Sequence, residues 1–284
     1  MKYLIIGASG LVGSALLRAT GDAVGTYRTR QRPGLRHLDA ADSGALRRLL
    51  DDVRPDLVLF PAAEPNVEWC EAHPAEAERR NLDPLRAVLA ATPKVIAFSS
   101  DYVFDGHGGP YAEDSARAPL SVYGRIKLFL EEETIASGGA VIRTTGVFGV
   151  EPEARNYVQR VVETLRRHEE ILAPSDQLAT PTYAEDLARA TLRIAARDPT
   201  GLWHVAGPEL VSRDELARRT ARAFGLDAGL VRGAPTSALG QRAARPLRGG
   251  LICSRYEAQF GEPPGRALDK ALVAVRDSLV ARAT

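Results

Sequence analysis

Lysine is scarce in this chain. Of 37 basic residues only Lys2, Lys94, Lys127 and Lys270 are lysine, and the other 33 are arginine. Cysteine is scarcer still, with Cys70 and Cys253 the only two. Two cysteines make no disulfide framework, and reduced thiols in a cytoplasm are the default. Cys253 has no histidine-based motif to make it a nucleophile, and Cys70, beside Trp69, reads as buried. The five histidines (His37, His73, His107, His168, His204) lack metal-ligand spacing, so no metal is expected. His204 sits in an apolar stretch and reads as a satisfied core residue. Net charge is only +1. That removes the electrostatic case for a nucleic-acid polymer or an anionic membrane as main partner. No apolar run approaches the length of a membrane span. Met1–Ile6 enters a strand at once, so no targeting segment is expected and the expected location is the cytoplasm.

What is present is an ordinary globular balance, 45% hydrophobic and 26% charged over 284 residues. In the first half, short apolar runs at Tyr3–Ile6, Ala23–Tyr27, Leu57–Phe60, 95–98 and 140–142 read as buried parallel strands. Amphipathic helices fall between them at Leu11–Ala19, Ser43–Val53, 75–91 and Val122–Ala136. That alternation predicts an α/β fold, a Rossmann-type doubly wound parallel sheet. Beyond Gly149 the pattern loosens. Helices are expected at 157–167, 183–196, 213–224 and 267–280, with strands near Ile171 and at 202–205. The stretch 233–250, rich in Gly, Pro, Ala and Arg, reads as loop. Residues 1–149 are expected to form the NAD(P)-binding domain, with segments at about 178–206 returning to it. Residues 150–284 would mainly form a smaller α/β substrate-binding part, too interleaved for a clean separate domain.

Gly7-Ala8-Ser9-Gly10-Leu11-Val12-Gly13 follows the first strand and opens a helix, the context that gives a glycine motif meaning. Gly7 permits the tight turn, Gly10 lets a pyrophosphate reach the backbone, and Gly13 lets helix and sheet pack closely. Ser9, Leu11 and Val12 complete this cofactor-binding turn, whose helix N-terminus offers free N–H groups. The second strand ends at Tyr27-Arg28. An acidic residue there would suit the ribose 2′-hydroxyl of NAD, whereas Arg28, followed by Arg30 and Arg32, suits a 2′-phosphate. NADPH is therefore expected over NADH. For Arg30 and Arg32 a solvated loop is nearly as good a reading. Asp39 either contacts the adenine or begins a helix.

Tyr123 and Lys127 are four apart on one expected helix, so they share a face about 5–6 Å apart at Cβ. An ammonium there can lower the phenol pKa, and a phenol so tuned can protonate a carbonyl. The spacing alone also arises by chance on many helices. Ser99 and Ser100 stand at the carboxyl end of a buried strand, where open α/β sheets bind ligands. A strand-end hydroxyl can donate to a carbonyl oxygen that Tyr123 protonates.

Glycine turn, strand-end serine and Tyr-x-x-x-Lys occur in the order of the extended short-chain dehydrogenase/reductases. Within them the chain most resembles the dTDP-4-dehydrorhamnose reductases. The stretches carrying this run nearly the whole length: Gly7–Gly13, Pro61-Ala62-Ala63 through Val67-Glu68-Trp69-Cys70-Glu71 to Asn81, and Ser100-Asp101-Tyr102-Val103-Phe104-Asp105-Gly106. Ser121–Lys127, Arg143-Thr144-Thr145, Asp176–Tyr183 and Trp203–Pro208 continue it.

The resemblance implies that Tyr123 is the general acid, that Lys127 tunes it and holds the nicotinamide ribose, and that Ser100 binds the carbonyl. It puts Ala62 and Ala63 along the cofactor cleft. Val67 and Tyr102 would face the sugar, and Asn156 and Gln177 the nucleotide diphosphate. The implied donor is NADPH, with NADH allowed, and the substrate a nucleotide-linked 4-keto-6-deoxy sugar. A homodimer is allowed.

Two departures touch the substrate pocket. Gly146 stands where relatives carry a tryptophan, and Pro65 where many carry a threonine. Glu131-Glu132-Glu133 reads as a solvated face, as do Arg79-Arg80 and Arg218-Arg219. For Arg245, contact with the phosphates and plain solvation are equal readings. The rivals implied are a nucleotide-sugar epimerase with retained NAD, and a non-catalytic NADP-binding subunit like the β subunit of methionine adenosyltransferase.

Overall fold

A computed structural model describes residues 1–92, 94–197 and 199–283. β1 (Tyr3–Ile6) leads into α1 (Leu11–Ala19). β2 (Ala23–Tyr27) and the two-residue β3 (Arg36–His37) precede α2 (Ser43–Val53). β4 (Leu57–Phe60) is followed by a short α3 (Val67–Ala72) and a long α4 (Pro74–Ala91). β5 (Val95–Ser100) passes through a 3-10 turn at Asp101–Val103 to α5 (Val122–Ala136), then β6 (Ala140–Thr144). Next come α6 (Tyr157–Arg166), β7 (Ile171–Pro174), β8 (Leu178–Ala179), α7 (Ala184–Ala195) and β9 (Gly201–His204). The chain closes with β10 (Val211–Ser212), α8 (Arg213–Ala223), β11 (Val231–Ala234), α9 (Ser254–Phe260) and α10 (Leu268–Ala283).

Seven strands pair in the order β3-β2-β1-β4-β5-β6-β9, all parallel. The apolar runs explain why. Successive side chains of a strand point to opposite faces, and here both faces are covered. Ile5, Leu59, Ile96 and Ile142 enter one core, while Leu4, Ile6, Val58, Phe60 and Val95 enter the other. Each such side chain contributes roughly 1.5–3 kcal/mol when fully buried. The doubly wound sheet expected from the alternation is thus present.

The order reverses between β1 and β4, and a crevice opens above the carboxyl ends of those strands. The last strand, β9, comes from the second half of the chain, and α7 packs on α1, with Arg18 bridging to Glu185. The remaining C-terminal elements carry two small sheets, β7 with β11 and β8 with β10. Helices α6, α8 and α10 pack there around Phe148, Leu216, Leu272 and Val275.

Several expected bounds lengthen. The strand expected at 95–98 runs on to Ser100, whose register partner is Thr144. Helix α3, capped by the Asn66 side chain on Trp69 N, lies where no helix was expected. Most of 233–250 is loop, apart from the end of β11 and a 3-10 turn at Thr236–Ala238.

Candidate functional site

The glycine turn fills the crevice floor between β1 and β4. Gly7 has φ +98°, and a Cβ there would stand 2.8 Å from Ala62 Cα. Only glycine takes both that conformation and that approach. A Cβ on Gly13 would lie 2.2 Å from Gly7 O, so helix and turn touch backbone to backbone. Gly10 differs: a Cβ there would meet nothing nearer than Gly7 O at 3.6 Å. It is also the N-cap of α1 and supplies no side-chain cap. The α1 N-terminus therefore has no side-chain cap and has room beside Gly10, as an anion site at a helix N-terminus requires. Ser9, Leu11 and Val12 flank it half-buried, with Ala62 half-buried and Ala63 exposed across the crevice. These features fit a dinucleotide pyrophosphate.

Further along the sheet, Ser100 ends β5 and Tyr123 sits in the first turn of α5. Ser121 Oγ accepts from Gly124 N and Glu71 Oε2 from Val122 N, which fixes the helix start. Gly124 lets α5 lie on the 3-10 turn, since a Cβ there would be 2.3 Å from Tyr102 O. Tyr102 and Tyr123 then meet edge to face, ring centroids 5.5 Å apart. Ser100 lies beside the Tyr123 phenol and only weakly opposes the effect of burial on it. Burial pushes the phenol well above its ordinary range, and the fields of Tyr102, Cys70 and Asp101 add to the shift.

Lys127 lies one turn behind, its Nζ 5.6 Å from the Tyr123 ring centre. It donates to Phe98 O at 2.9 Å, and burial pushes it down to about 8 against the opposing pull of Glu131. The expectation that the lysine depresses the tyrosine is therefore corrected. Desolvation acts on both groups, raising the acid and lowering the base.

Asp101 is a carboxyl that the sequence reading passed over. It is 3% exposed, and burial raises it above the usual carboxylate range. Ser100 Oγ donates to Oδ1 at 3.1 Å, while Thr145 Oγ1 at 2.6 Å and Gly250 N at 3.3 Å donate to Oδ2. Beside that pair, Gly146 takes φ +52°, and a Cβ there would touch only Pro181, at 3.6 Å. The space beside Gly146 is consequently open.

Other expected positions are differently engaged. Asn156 caps α6 through Gln159 N, and its amide bonds Gly149 O, Glu151 and Gln159. Its side chain is committed to the fold rather than offered to a diphosphate. Gln177 gives its amide to Thr236 and Gln241, both at 2.9 Å. Val67 is half-buried at the start of α3. Tyr102 Oη accepts from Arg245 at 2.8 Å, and Arg245 also bonds Glu68, so Arg245 is not simply solvated. Asp39 is exposed and accepts from Ala41 N; Asp42 is the residue that caps α2. Arg28 is exposed, whereas Arg30 and Arg32 are half-buried and pair with Glu153. The solvated-loop reading of Arg30 and Arg32 is thereby corrected.

So is the solvated reading of Glu131. Its side chain is fully buried, accepts from Arg143 Nε and Nη2 at 2.7 and 2.6 Å, and accepts from Ser99 Oγ at 2.6 Å. Arg219 likewise leaves solvent, at 13% side-chain exposure, bridging Glu209 and Asp269. His204 is buried and held neutral, pushed down to about 3 by burial and by Arg143. Among the described residues, no group of three His, Cys, Asp or Glu side chains is placed to hold a metal.

With this geometry, residues 1–279 match the family model described as the RmlD substrate binding domain. The chain belongs to that family. A dTDP-4-dehydrorhamnose reductase from Streptomyces griseus is 32% identical over 92% of this chain and 89% of its own length. Another relative, methionine adenosyltransferase 2 subunit beta of Xenopus tropicalis, is 31% identical over 90% of this chain and 81% of its own. The crystal structure of a dTDP-4-dehydrorhamnose reductase from Clostridium acetobutylicum superposes with a TM-score of 0.88 at 25% identity, covering 99% of this chain and 100% of that one. The chain is thus similar both to a reductase and to a protein named as a subunit of another enzyme. No described helix is long and apolar enough to cross a membrane.

Proposed function

We propose that this RmlD-type chain is an NADPH-dependent reductase of a nucleotide-linked 4-keto-6-deoxy sugar, like the dTDP-4-dehydrorhamnose reductases among its relatives. The observation that carries the reading is the meeting of Ser100 and Tyr123 at the end of β5, with Lys127 one turn behind. We read residues 1–149 together with about 178–206 as the dinucleotide-binding part and most of 150–284 as the substrate-binding part. The two free, buried cysteines support a cytoplasmic setting. A homodimer is part of the same reading.

The reduced nicotinamide supplies the hydride when bound. The protein's tasks are to hold the ketone and to deliver a proton to its oxygen. Tyr123 stays protonated because its surroundings disfavour the phenolate, so the donor is ready before substrate arrives. Ser100 now gives its hydroxyl hydrogen to Asp101. Turning that hydrogen onto the ketone oxygen supplies a second donor where negative charge develops. Lys127, held by Phe98 O with its Nζ 5.6 Å from the Tyr123 ring centre, would hold the nicotinamide ribose with its ammonium. Gly7, Ser9, Gly10, Leu11, Val12 and Gly13 would hold the pyrophosphate against α1. Ala62 and Ala63 would line the same crevice, with Asp39 near the adenosine end. Val67 and Tyr102 would border the sugar and Gln177 the nucleotide.

The test is NADPH consumption with a panel of dTDP-4-keto sugars. Consumption that needs both sugar and enzyme supports the reading, and none with any member sinks it. A second reading rests on the adenosyltransferase β-subunit relative. On that reading the chain binds its cofactor without turnover and co-purifies with a catalytic partner, which affinity capture from the native cell would reveal.

A further inference from the structure

The crowded arginines beyond β2 face a single carboxylate from the far side of the crevice. Arg30 Nη1 stands 3.9 Å from Glu153 Oε2, and Arg32 Nη2 pairs with Glu153 Oε1. All three side chains are about one-third exposed or less. The arginines belong to the loop after β2, and Glu153 to the loop between β6 and α6. That second loop is anchored by Glu151, which accepts from Asn156 N at 2.7 Å, and it turns back through Ala154 at φ +48°. A left-handed backbone at a non-glycine residue is strained and persists only where surroundings hold it.

Burial lowers Arg30 first, and then the charges of Arg155 and Arg32, with Glu151 and Glu64 opposing. Glu64 follows β4 and Glu151 follows β6, so carboxylates of two further loops act on the Arg30 guanidinium. Glu153 Oε2 is buried there and accepts no hydrogen bond.

We infer that Glu153 is a specificity-determining residue, which limits the preference for a 2′-phosphorylated dinucleotide by occupying Arg30 and Arg32 with its own carboxylate. The inference rests on the proposed reading that the arginines past β2 receive the 2′-phosphate. A 2′-phosphate reaching them must displace Glu153 or share the guanidiniums with it. Sharing sets carboxylate against phosphate, and displacement breaks an ion pair. Either way Glu153 lowers affinity for the phosphate and leaves an unphosphorylated adenosine nearly untouched.

The test uses the full chain and two probes, adenosine 2′,5′-bisphosphate and adenosine 5′-monophosphate, by titration calorimetry. Glu153→Gln keeps the shape and removes the charge. It should bind the bisphosphate about five- to tenfold more tightly and the monophosphate unchanged. Arg32→Gln should weaken the bisphosphate alone. Wild-type preference for the bisphosphate that Glu153→Gln leaves unaltered, or a change shared equally by both probes, overturns the inference alone. Equal binding of both probes by wild type and by Glu153→Gln overturns the NADPH reading as well. Glu153→Ala serves as a second variant, with thermal unfolding recorded beside each titration to certify folding.

Discussion

At the residue scale, burial holds the proton on Tyr123 and loosens it on Lys127. The first effect makes the phenol a loaded donor, and the second sets an alkaline limit. Tyr123→Phe, which deletes only the hydroxyl, should lower kcat by about a thousandfold while NADPH affinity stays near wild type. Near-normal turnover in that variant would refute the proton-donor role. The working form of Lys127 is the ammonium, so kcat/KM should fall as pH rises through about 8. A pH profile level through that region would show that Lys127 works without its charge. Ser100, Tyr123 and Lys127 were legible as residue types at known spacings. Their titrations were not, because spacing along a helix reports who is near and says nothing of how much water is left.

At the element scale, α5 carries the site and is fixed from three sides. Ser121 and Glu71 hold its start, Gly124 seats it on the 3-10 turn, and Glu131 locks it to β6 through Arg143. Gly124→Ala should cost about 1–3 kcal/mol of stability, because the new methyl meets the Tyr102 carbonyl. It should also slow turnover by shifting Tyr123 against Tyr102. Wild-type melting and wild-type rate together would exclude the close approach. Glu131→Ala strands the Arg143 guanidinium in the core and should cost about 3–5 kcal/mol. Denaturant unfolding measures it, and a loss below about 1 kcal/mol would place the pair in water instead.

These elements also mark where the sequence could and could not be read. Apolar runs such as Leu57–Phe60 declared buried strands, and Leu11–Ala19 declared its helix. Glu131 could not be read, since three successive glutamates look alike until the helix is rolled against β6. Arg30 and Arg32 misled for the same reason, their partner being a glutamate on a distant loop. Asn156 was assigned a ligand, yet an asparagine ahead of Tyr157–Arg166 is also a natural N-cap. Asp101 lay within a quoted run, and nothing local announced that Thr145 and Gly250 would enclose it.

At the scale of the whole molecule, the main sheet is completed out of turn. β9 pairs on β6 after a long excursion, and α7 buries Leu187, Ala188 and Ile194 in the core that α1 shares. A fragment ending at residue 149 holds the glycine turn, Ser100, Tyr123 and Lys127, but lacks those partners. It should show no cooperative thermal transition by circular dichroism, whereas the full chain melts in one. A fragment melting sharply near the full-length temperature would show the dinucleotide-binding part to be self-sufficient.

That seventh strand also sets a clock on the ribosome. Until His204 has left the exit tunnel, the β6 edge has no partner, although Ser100, Tyr123 and Lys127 are already made. The early half therefore waits for Gly201–His204 before the β6 edge is closed.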